Sequence, residues 1–482
     1  MDQKNTILKY ILLIIASFLL AFTGLKYIFF LAPWISMIFF IYYFRQENKW
    51  FEYPIFILLL FIPKFFTIHN GWDMSIWLEL FATLFVTAPL LAGLLVDKYF
   101  HKKVSSLVST LVFPATYIIL DLLLGLSLFG NFASIAITQF EFKSLIQLAA
   151  VTGLGGISFM VFWFSSTVAT LWKSNFNIQK EKLLIKIFLI IFLTIIIFGG
   201  IYYTISIPTG NTVRIGGVSV EHKSDMWNII DMKTPEIEAQ KYSAEIQELN
   251  NELFNNSQNA VNFGAKIVVW SEANGVIYNE DRNLFMEKAK KFAKDNQVYF
   301  VPSFLVLKYD TYSAENKMIM ISPEGKVEYE YEKTISWYPS ESDGIIHTID
   351  TPYGKIGGAI CFDTDFPRFI RQAAKENIDI LLIPKFDTPY ISPGHTYAGI
   401  FRGIEGGFST VSQVNKGTSI ASDYRGNVLS YQDFATTKDR TMIVDVPIDG
   451  RKTIYTMFGD WFIFLNALFL IILTIYVFRR KG

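Results

Sequence analysis

Among 482 residues there is one cysteine, Cys361, and there are five scattered histidines, His69, His101, His222, His347 and His395. Cys361 ends the apolar run Lys355 to Ile360 and precedes Phe362-Asp363-Thr364-Asp365-Phe366-Pro367, after which a helix is expected. A thiol at a strand-to-helix turn is open to a ligand, and a helix N-terminus favours its thiolate. Gly357 and Gly358, just upstream, let another backbone approach closely. A lone cysteine can equally be an inert core residue. A cysteine nucleophile needs a base and a group to hold the oxyanion. No histidine lies in a suitable context, but Glu272 ends the strand-like run from Ile267, and Lys333 follows Tyr329 to Glu332 beyond a hairpin with Gly325 at its turn. Taken singly, each is also what an exposed strand-end charge looks like. One cysteine allows no intramolecular disulfide, and the histidines lack the paired spacing of a zinc site, so no metal or cofactor is expected.

The elements that must position these groups lie in two kinds of chain. Hydrophobic residues make up 51% and charged residues 18%, below the roughly 25% charged of soluble domains. The 43 Lys plus Arg cancel the 43 Asp plus Glu, leaving no basic field for nucleic-acid binding. Apolar stretches of about the 20 residues that cross a bilayer lie near 8–24, 26–43, 53–68, 76–97, 106–129, 145–171, 184–205 and 459–478. The third is short and contains Pro63 and Lys64, which points to a tilt, a re-entrant path or a snorkelling lysine. The first is followed at once by a second, so it is expected to stay as an anchor. Asp121 and Glu79 sit inside these stretches; Asp121 is read as a hydrogen-bond partner between helices.

With a cytoplasmic N-terminus, the inner segments hold thirteen lysines and arginines and the outer loops three, Lys26, Lys64 and Lys143. That bias puts both termini in the cytoplasm and the long segment before the last span outside it. The expected organisation is seven spans over 1–206, an outer domain over 207–457, and a final helix with a basic tail over 458–482.

The outer segment alternates strand-like runs (213–220, 266–270, 299–307, 318–322, 355–360, 378–383, 409–414 and 441–446) with helical ones near 235–262, 281–296, 366–376 and 395–406. Such alternation predicts an α/β domain, with helices on the outer faces of β-sheets.

Glu272, then Lys333, then Cys361 in Gly-Gly-Ala-Ile-Cys-Phe-Asp-Thr-Asp-Phe-Pro together resemble the Glu-Lys-Cys triad of the nitrilase, or carbon-nitrogen hydrolase, superfamily. The resemblance over 212–447 implies an αββα sandwich with Glu272 as general base, Lys333 as oxyanion stabiliser and Cys361 as nucleophile. Gln139, Ser144 to Phe159, Arg402-Gly-Ile-Glu405 and Asn415-Lys-Gly-Thr-Ser419 look like the apolipoprotein N-acyltransferase family. Glu341 matches a second acidic residue of that family's active-site loop, and Asp363 stands where its members carry Glu. Trp337, Tyr338 and Asn415 are then candidate supporting residues.

That likeness implies a polytopic helical membrane domain of about eight spans with an exoplasmic nitrilase-like domain, in a bacterial plasma membrane. It also implies transfer of an acyl chain from a phospholipid, through a cysteine thioester, to the N-terminal amine of a diacylglyceryl-cysteine lipoprotein. Apolar Met226, Trp227, Ile229, Ile230, Trp337, Tyr338 and Tyr390 are expected to form a lip toward lipid. Several loops depart from the family. Trp270-Ser271-Glu272 replaces Trp-Pro-Glu, Tyr338-Pro339-Ser340-Glu341 replaces Pro-Phe-Gly-Glu, and Lys385 to Tyr390 replaces an Asn-Asp-Trp turn. A different amine acceptor, or a membrane-tethered hydrolase using water, is the alternative.

Overall fold

The computed structural model describes residues 3–69, 75–208, 210–222, 236–308, 314–336 and 339–480. The chain divides into two compact units, residues 1–207 with 457–482, and residues 208–456.

The first unit is helical. Helices Gln3–Leu20, Ala32–Phe44, Glu52–Ile68, Ile76–Phe100, Ser106–Gly125, Leu154–Lys173, Lys182–Ile205 and Trp461–Arg479 fall on the eight apolar stretches. Five of them, Ile76–Phe100, Ser106–Gly125, Leu154–Lys173, Lys182–Ile205 and Trp461–Arg479, are long and apolar enough to cross a membrane. Ala32–Phe44 has only 13 residues, about 20 Å at 1.5 Å per residue, short of a hydrocarbon core. The sixth helix begins later than its hydropathy suggests: Gly153, at φ +67°, separates Ala149–Thr152 from Leu154–Lys173.

Three buried charges described in this unit have hydrogen-bond partners, as their burial demands. Arg45 donates two 2.7 Å bonds to Asp97 and further bonds to Thr170 and Ser166. Lys64 does not snorkel: it is buried and donates to Thr23 Oγ1 at 2.7 Å, a hydroxyl close enough to replace the water it would otherwise reach for. Asp121 accepts from Tyr117 of its own helix and from Ser134 in the following loop, so these hydrogen bonds tie a helix to a loop.

The second unit holds two β-sheets. Its strands are β1 Thr212–Val218, β2 Ile267–Trp270, β3 Gly275–Tyr278, β4 Tyr299–Val301, β5 Ser303–Leu307, β6 Ala314–Ile321, β7 Val327–Glu332, β8 Thr348–Thr351, β9 Gly354–Gly358, β10 Ile380–Phe386, β11 Ser409–Asn415, β12 Thr418–Ser422, β13 Val428–Asp433 and β14 Thr441–Pro447. One sheet runs β14-β1-β2-β4-β6-β5-β3 with β7 on β6, and the other runs β13-β12-β11-β10-β9-β8. A single core cluster joins them, with Ile215, Val269, Val301 and Met318 from the first sheet and Ile356, Leu382 and Val411 from the second. Helices Glu236–Asn262 and Arg282–Asn296 cover the outer face of the first sheet through Leu253, Phe254, Phe285 and Ala289. Pro367–Lys375 covers the second through Ile370 and Ala373. The result is an αββα sandwich.

The run 299–307, expected as one strand, is two. Pro302 has no N–H to offer a ladder, and the chain changes neighbours there: β4 pairs with β2, and β5 with β3.

Candidate active site

Glu272 follows β2, in a segment folded back by Ala273 at φ +53°. Its Oε1 accepts from Lys333 Nζ at 2.7 Å and from Asn316 Nδ2 at 2.8 Å. Its Oε2 accepts from the Phe386 N–H at 2.9 Å. Lys333 is the first residue past β7, and the β6–β7 hairpin that delivers it turns at Gly325, φ +78°. Its N–H donates to the Asn316 carbonyl on β6, so strand pairing sets the register that lays the ammonium on the carboxylate.

Cys361 follows the second sheet's β9 and opens the 3₁₀ turn Cys361–Asp365, which leads into Pro367–Lys375 with proline in its first turn. A Cβ on Gly358 would lie 2.3 Å from Met318 Cε of β6, so glycine there lets the strand before Cys361 press close to the strand that carries Asn316. Cys361 has φ +45°, a conformation a β-substituted residue holds only when its surroundings enforce it. Its Sγ lies 3.7 Å from the Phe386 carbonyl oxygen.

The thiol is 6% exposed. Burial first and the Glu272 carboxylate second push its pKa well up, against the pull of Lys333. The helix N-terminus, expected to favour the thiolate, is outweighed, so the resting group is a thiol that needs a base. Burial works against the Lys333 ammonium, but Glu272 and Cys361 raise its pKa overall, keeping it charged.

Asp363 is fully buried. It accepts from Tyr331 Oη at 2.6 Å, from the Ile360 N–H at 3.0 Å and from the Ile335 N–H at 2.8 Å. It therefore staples the turn bearing Cys361 to the loop after Lys333. Burial raises its pKa to about 6 against those hydrogen bonds. Asn415, at the end of β11, is in register with Phe386, and its carbonyl accepts from the Asp387 N–H at 2.9 Å. Glu341 is exposed, with its N–H donating to Glu332. Tyr390 is exposed. Trp337, Tyr338, Met226, Trp227, Ile229 and Ile230 lie outside the described residues.

Sequence reasoning missed Asn316, Tyr331 and a second buried group. His395 is 1% exposed; its Nδ1 lies 2.6 Å from Asp387 Oδ1 and its Nε2 2.8 Å from Asp365 Oδ2. Cys361, Asp387 and His395 have donor atoms within 4.8 Å of one another, a spacing a metal could use. Both imidazole nitrogens are taken by carboxylates, however, so neither offers a lone pair to an ion. No signal in the sequence set Asp365, Asp387 and His395 apart, since each stands beside another polar residue, Thr364, Thr388 and Thr396.

A thiol, a carboxylate and an ammonium in one buried cluster are the parts needed for acyl transfer through a covalent intermediate. The family model and the curated relatives support the enzyme class. Residues 234–454 match the carbon-nitrogen hydrolase family model. The apolipoprotein N-acyltransferase of Geobacter metallireducens is 21% identical over 446 residues, 85% of this chain and 82% of that protein. Apolipoprotein N-acyltransferase 2 of Treponema denticola is 22% identical over 397 residues, 71% of each chain. Among solved structures, an amidase from Nesterenkonia sp. is 15% identical, with a TM-score of 0.38, over 53% of this chain and 96% of that one. A carbon-nitrogen hydrolase from Helicobacter pylori G27 is 14% identical, with a TM-score of 0.40, over 49% and 89%. The chain carries a carbon-nitrogen hydrolase domain and is related to the apolipoprotein N-acyltransferases along most of its length.

Proposed function

We propose that this membrane protein, a relative of apolipoprotein N-acyltransferases with a carbon-nitrogen hydrolase domain, moves a fatty acyl chain from a phospholipid to the N-terminal amine of a diacylglyceryl-cysteine lipoprotein. The observation that carries the reading is the link from Lys333 through Glu272 to Phe386 and Cys361. Glu272 takes the thiol proton as Sγ attacks the ester carbonyl, and the Lys333 ammonium balances the oxyanion. Collapse breaks the ester C–O bond, the lysophospholipid oxygen takes the proton from Glu272, and a thioester remains on Cys361. The acceptor amine then attacks the thioester. Its proton passes through Glu272 to the departing sulfur, leaving an amide and the free thiol.

Eight spans, with both termini in the cytoplasm and residues 207–457 outside it, complete the reading; the lysine and arginine bias supports that orientation. A membrane-borne enzyme suits the substrates. Each buried CH₂ of an acyl chain contributes about 0.8 kcal/mol of membrane affinity, so donor and acceptor stay in the bilayer.

The test supplies phospholipid vesicles and a diacylated lipopeptide with a free N-terminal cysteine amine, then measures N-acyl lipopeptide against free fatty acid. N-acyl lipopeptide as the main product is expected. Free fatty acid alone at saturating acceptor would make the protein a lipid-directed hydrolase, and acylation of another amine alone would replace the acceptor.

A further inference from the structure

Beneath Cys361 lies a closed set of four charged side chains that the acyl-transfer steps do not use. Lys385, Asp387, Asp365 and His395 are each at most 1% exposed. Lys385 and Asp387 flank Phe386 at the end of β10. Asp365 ends the 3₁₀ turn that Cys361 begins, and His395 lies in the first turn of the helix Gly394–Gly406. Lys385 Nζ donates to the His395 carbonyl at 2.9 Å, and Thr396 Oγ1 donates to Asp387 Oδ2 at 3.2 Å. Gly417 leaves room for Asp387, since a Cβ there would lie 2.7 Å from Asp387 Cβ.

A carboxylate can only accept hydrogen bonds, so an imidazole with an aspartate oxygen 2.6 to 2.8 Å from each ring nitrogen carries a proton on both. That makes two cations and two anions, a balance a buried group requires. The first turn of a helix is the wrong end for a cation, so the two aspartates, and not the helix, hold this charge in place.

We propose that the His395 imidazolium is a positioning residue, a clamp between Asp365 and Asp387 that fixes the strained Cys361 turn against the strand end whose Phe386 peptide meets both Cys361 and Glu272. The inference rests on Cys361 being the nucleophile. A neutral imidazole has one N–H; it can serve one aspartate and leaves the other buried without its donor. The side of the clamp that opens frees either the Cys361 turn or the β10 end, and the 3.7 Å approach of Sγ to Phe386 loosens. The groups facing His395 are Asp365 and Cys361 from the turn, Lys385 and Asp387 from the strand, and Thr396 from its own helix. Burial and Lys385 oppose the imidazolium, but Asp387 and Asp365 outweigh them and raise its pKa to about 9.

The test follows His395 by ring-nitrogen NMR on the full chain with labelled histidine, using His395→Gln to assign its signals. In parallel it measures the rate of acyl-Cys361 formation from phospholipid vesicles between pH 6 and 10.5. In the wild type both ring nitrogens are expected to be protonated at pH 7.5, and acylation should decline as the imidazole titrates near pH 9. In Asp365→Asn, which keeps the shape but removes one carboxylate charge, the titration and the decline should move down together by about 1 to 3 pH units. A neutral His395 at pH 7.5 in the wild type would overturn the clamp, and this measurement needs no variant to fold. An acylation profile that stays put while the His395 titration moves would overturn it too. Absence of acyl-Cys361 at every pH, with His395 behaving as stated, would instead sink the proposed acyl transfer.

Discussion

Glu272 and Cys361 meet on opposite ends of residue Phe386: its N–H donates to Glu272 Oε2 at 2.9 Å, and its carbonyl oxygen lies 3.7 Å from Cys361 Sγ. Glu272 comes from the first sheet's β2, Cys361 from the turn after the second sheet's β9, and Phe386 from the end of the second sheet's β10. One strand end thus orients Glu272 and Cys361 together, and the site depends on how the two sheets face each other.

Replacing Glu272 tests that relationship. Glu272→Gln keeps the shape and can still accept from Phe386, but it cannot take a proton from a thiol whose pKa burial has raised. Acyl-enzyme formation should fall by roughly 10² to 10⁴, the range of one general base. Near-normal acylation would hand the role to another carboxylate, with Asp363 a candidate.

Lys333→Ala removes the partner of a largely buried carboxylate. Acylation should slow by about 10² to 10³, as for loss of one oxyanion donor. The domain should also lose about 3 kcal/mol, the lower end for breaking a buried pair, because Lys333 keeps some solvent contact. An unchanged melting temperature with unchanged acylation would remove Lys333 from the site.

Tyr331→Phe takes away the 2.6 Å bond to Asp363 and leaves two backbone donors. The loss should cost about 1.5 to 3 kcal/mol, the range for a hydrogen bond to a charged group. It should also raise the Asp363 pKa above its value of about 6. Denaturation of the variant and wild type at pH 7.5 reads the first effect, and carboxyl-carbon NMR of labelled aspartate reads the second.

Two groups predict how stability runs with pH, and both have folded pKa values above their ordinary ones. Asp363 rises from 3.8 to about 6 and His395 from 6.5 to about 9. A raised pKa means the folded state binds the proton more tightly, so the contribution is complete below the ordinary value and lost as pH climbs through the folded one. Asp363 therefore costs stability between about pH 4 and 6, and His395 between about pH 6.5 and 9. Thermal unfolding of wild type and His395→Gln at pH 7 and 9.5 should give a difference that shrinks at the higher pH; a difference that grows would contradict the sign.

Orientation has its own test. Cys361 is the single cysteine and is buried, so the reporter is Lys438→Cys, on an exposed residue, in a Cys361→Ser background. A membrane-impermeant maleimide should label intact spheroplasts. Labelling that appears only after the membrane is lysed would reverse the topology.

Glu272, Lys333 and Cys361 were legible in the sequence as a set, by their order and spacing: Glu272 lies just past β2, Lys333 follows β7, and Cys361 lies just past β9. Taken singly, each looked like a strand-end charge or a core cysteine, and only the combined pattern singled them out. It did not reach the partners that hold them. Asn316 sits within a strand where nothing distinguishes it from a ladder residue, and Phe386 acts through its backbone. Asp365, Asp387 and His395 lie 22 and 8 residues apart, and they meet only because a strand and a helix N-terminus pack against one turn. Burial of Lys64 escaped notice for the same reason, since Thr23 is distant in sequence. The break at Pro302 was local and readable, as proline cannot continue a ladder.

The most direct test is the mass of the intact protein after incubation with phospholipid vesicles of one acyl composition and no amine acceptor. The expected result is a shift by one acyl chain that maps to Cys361, is removed by hydroxylamine at neutral pH and is absent in Cys361→Ser. An unmodified wild-type mass while lysophospholipid accumulates, or an acyl adduct that persists in Cys361→Ser, would contradict it.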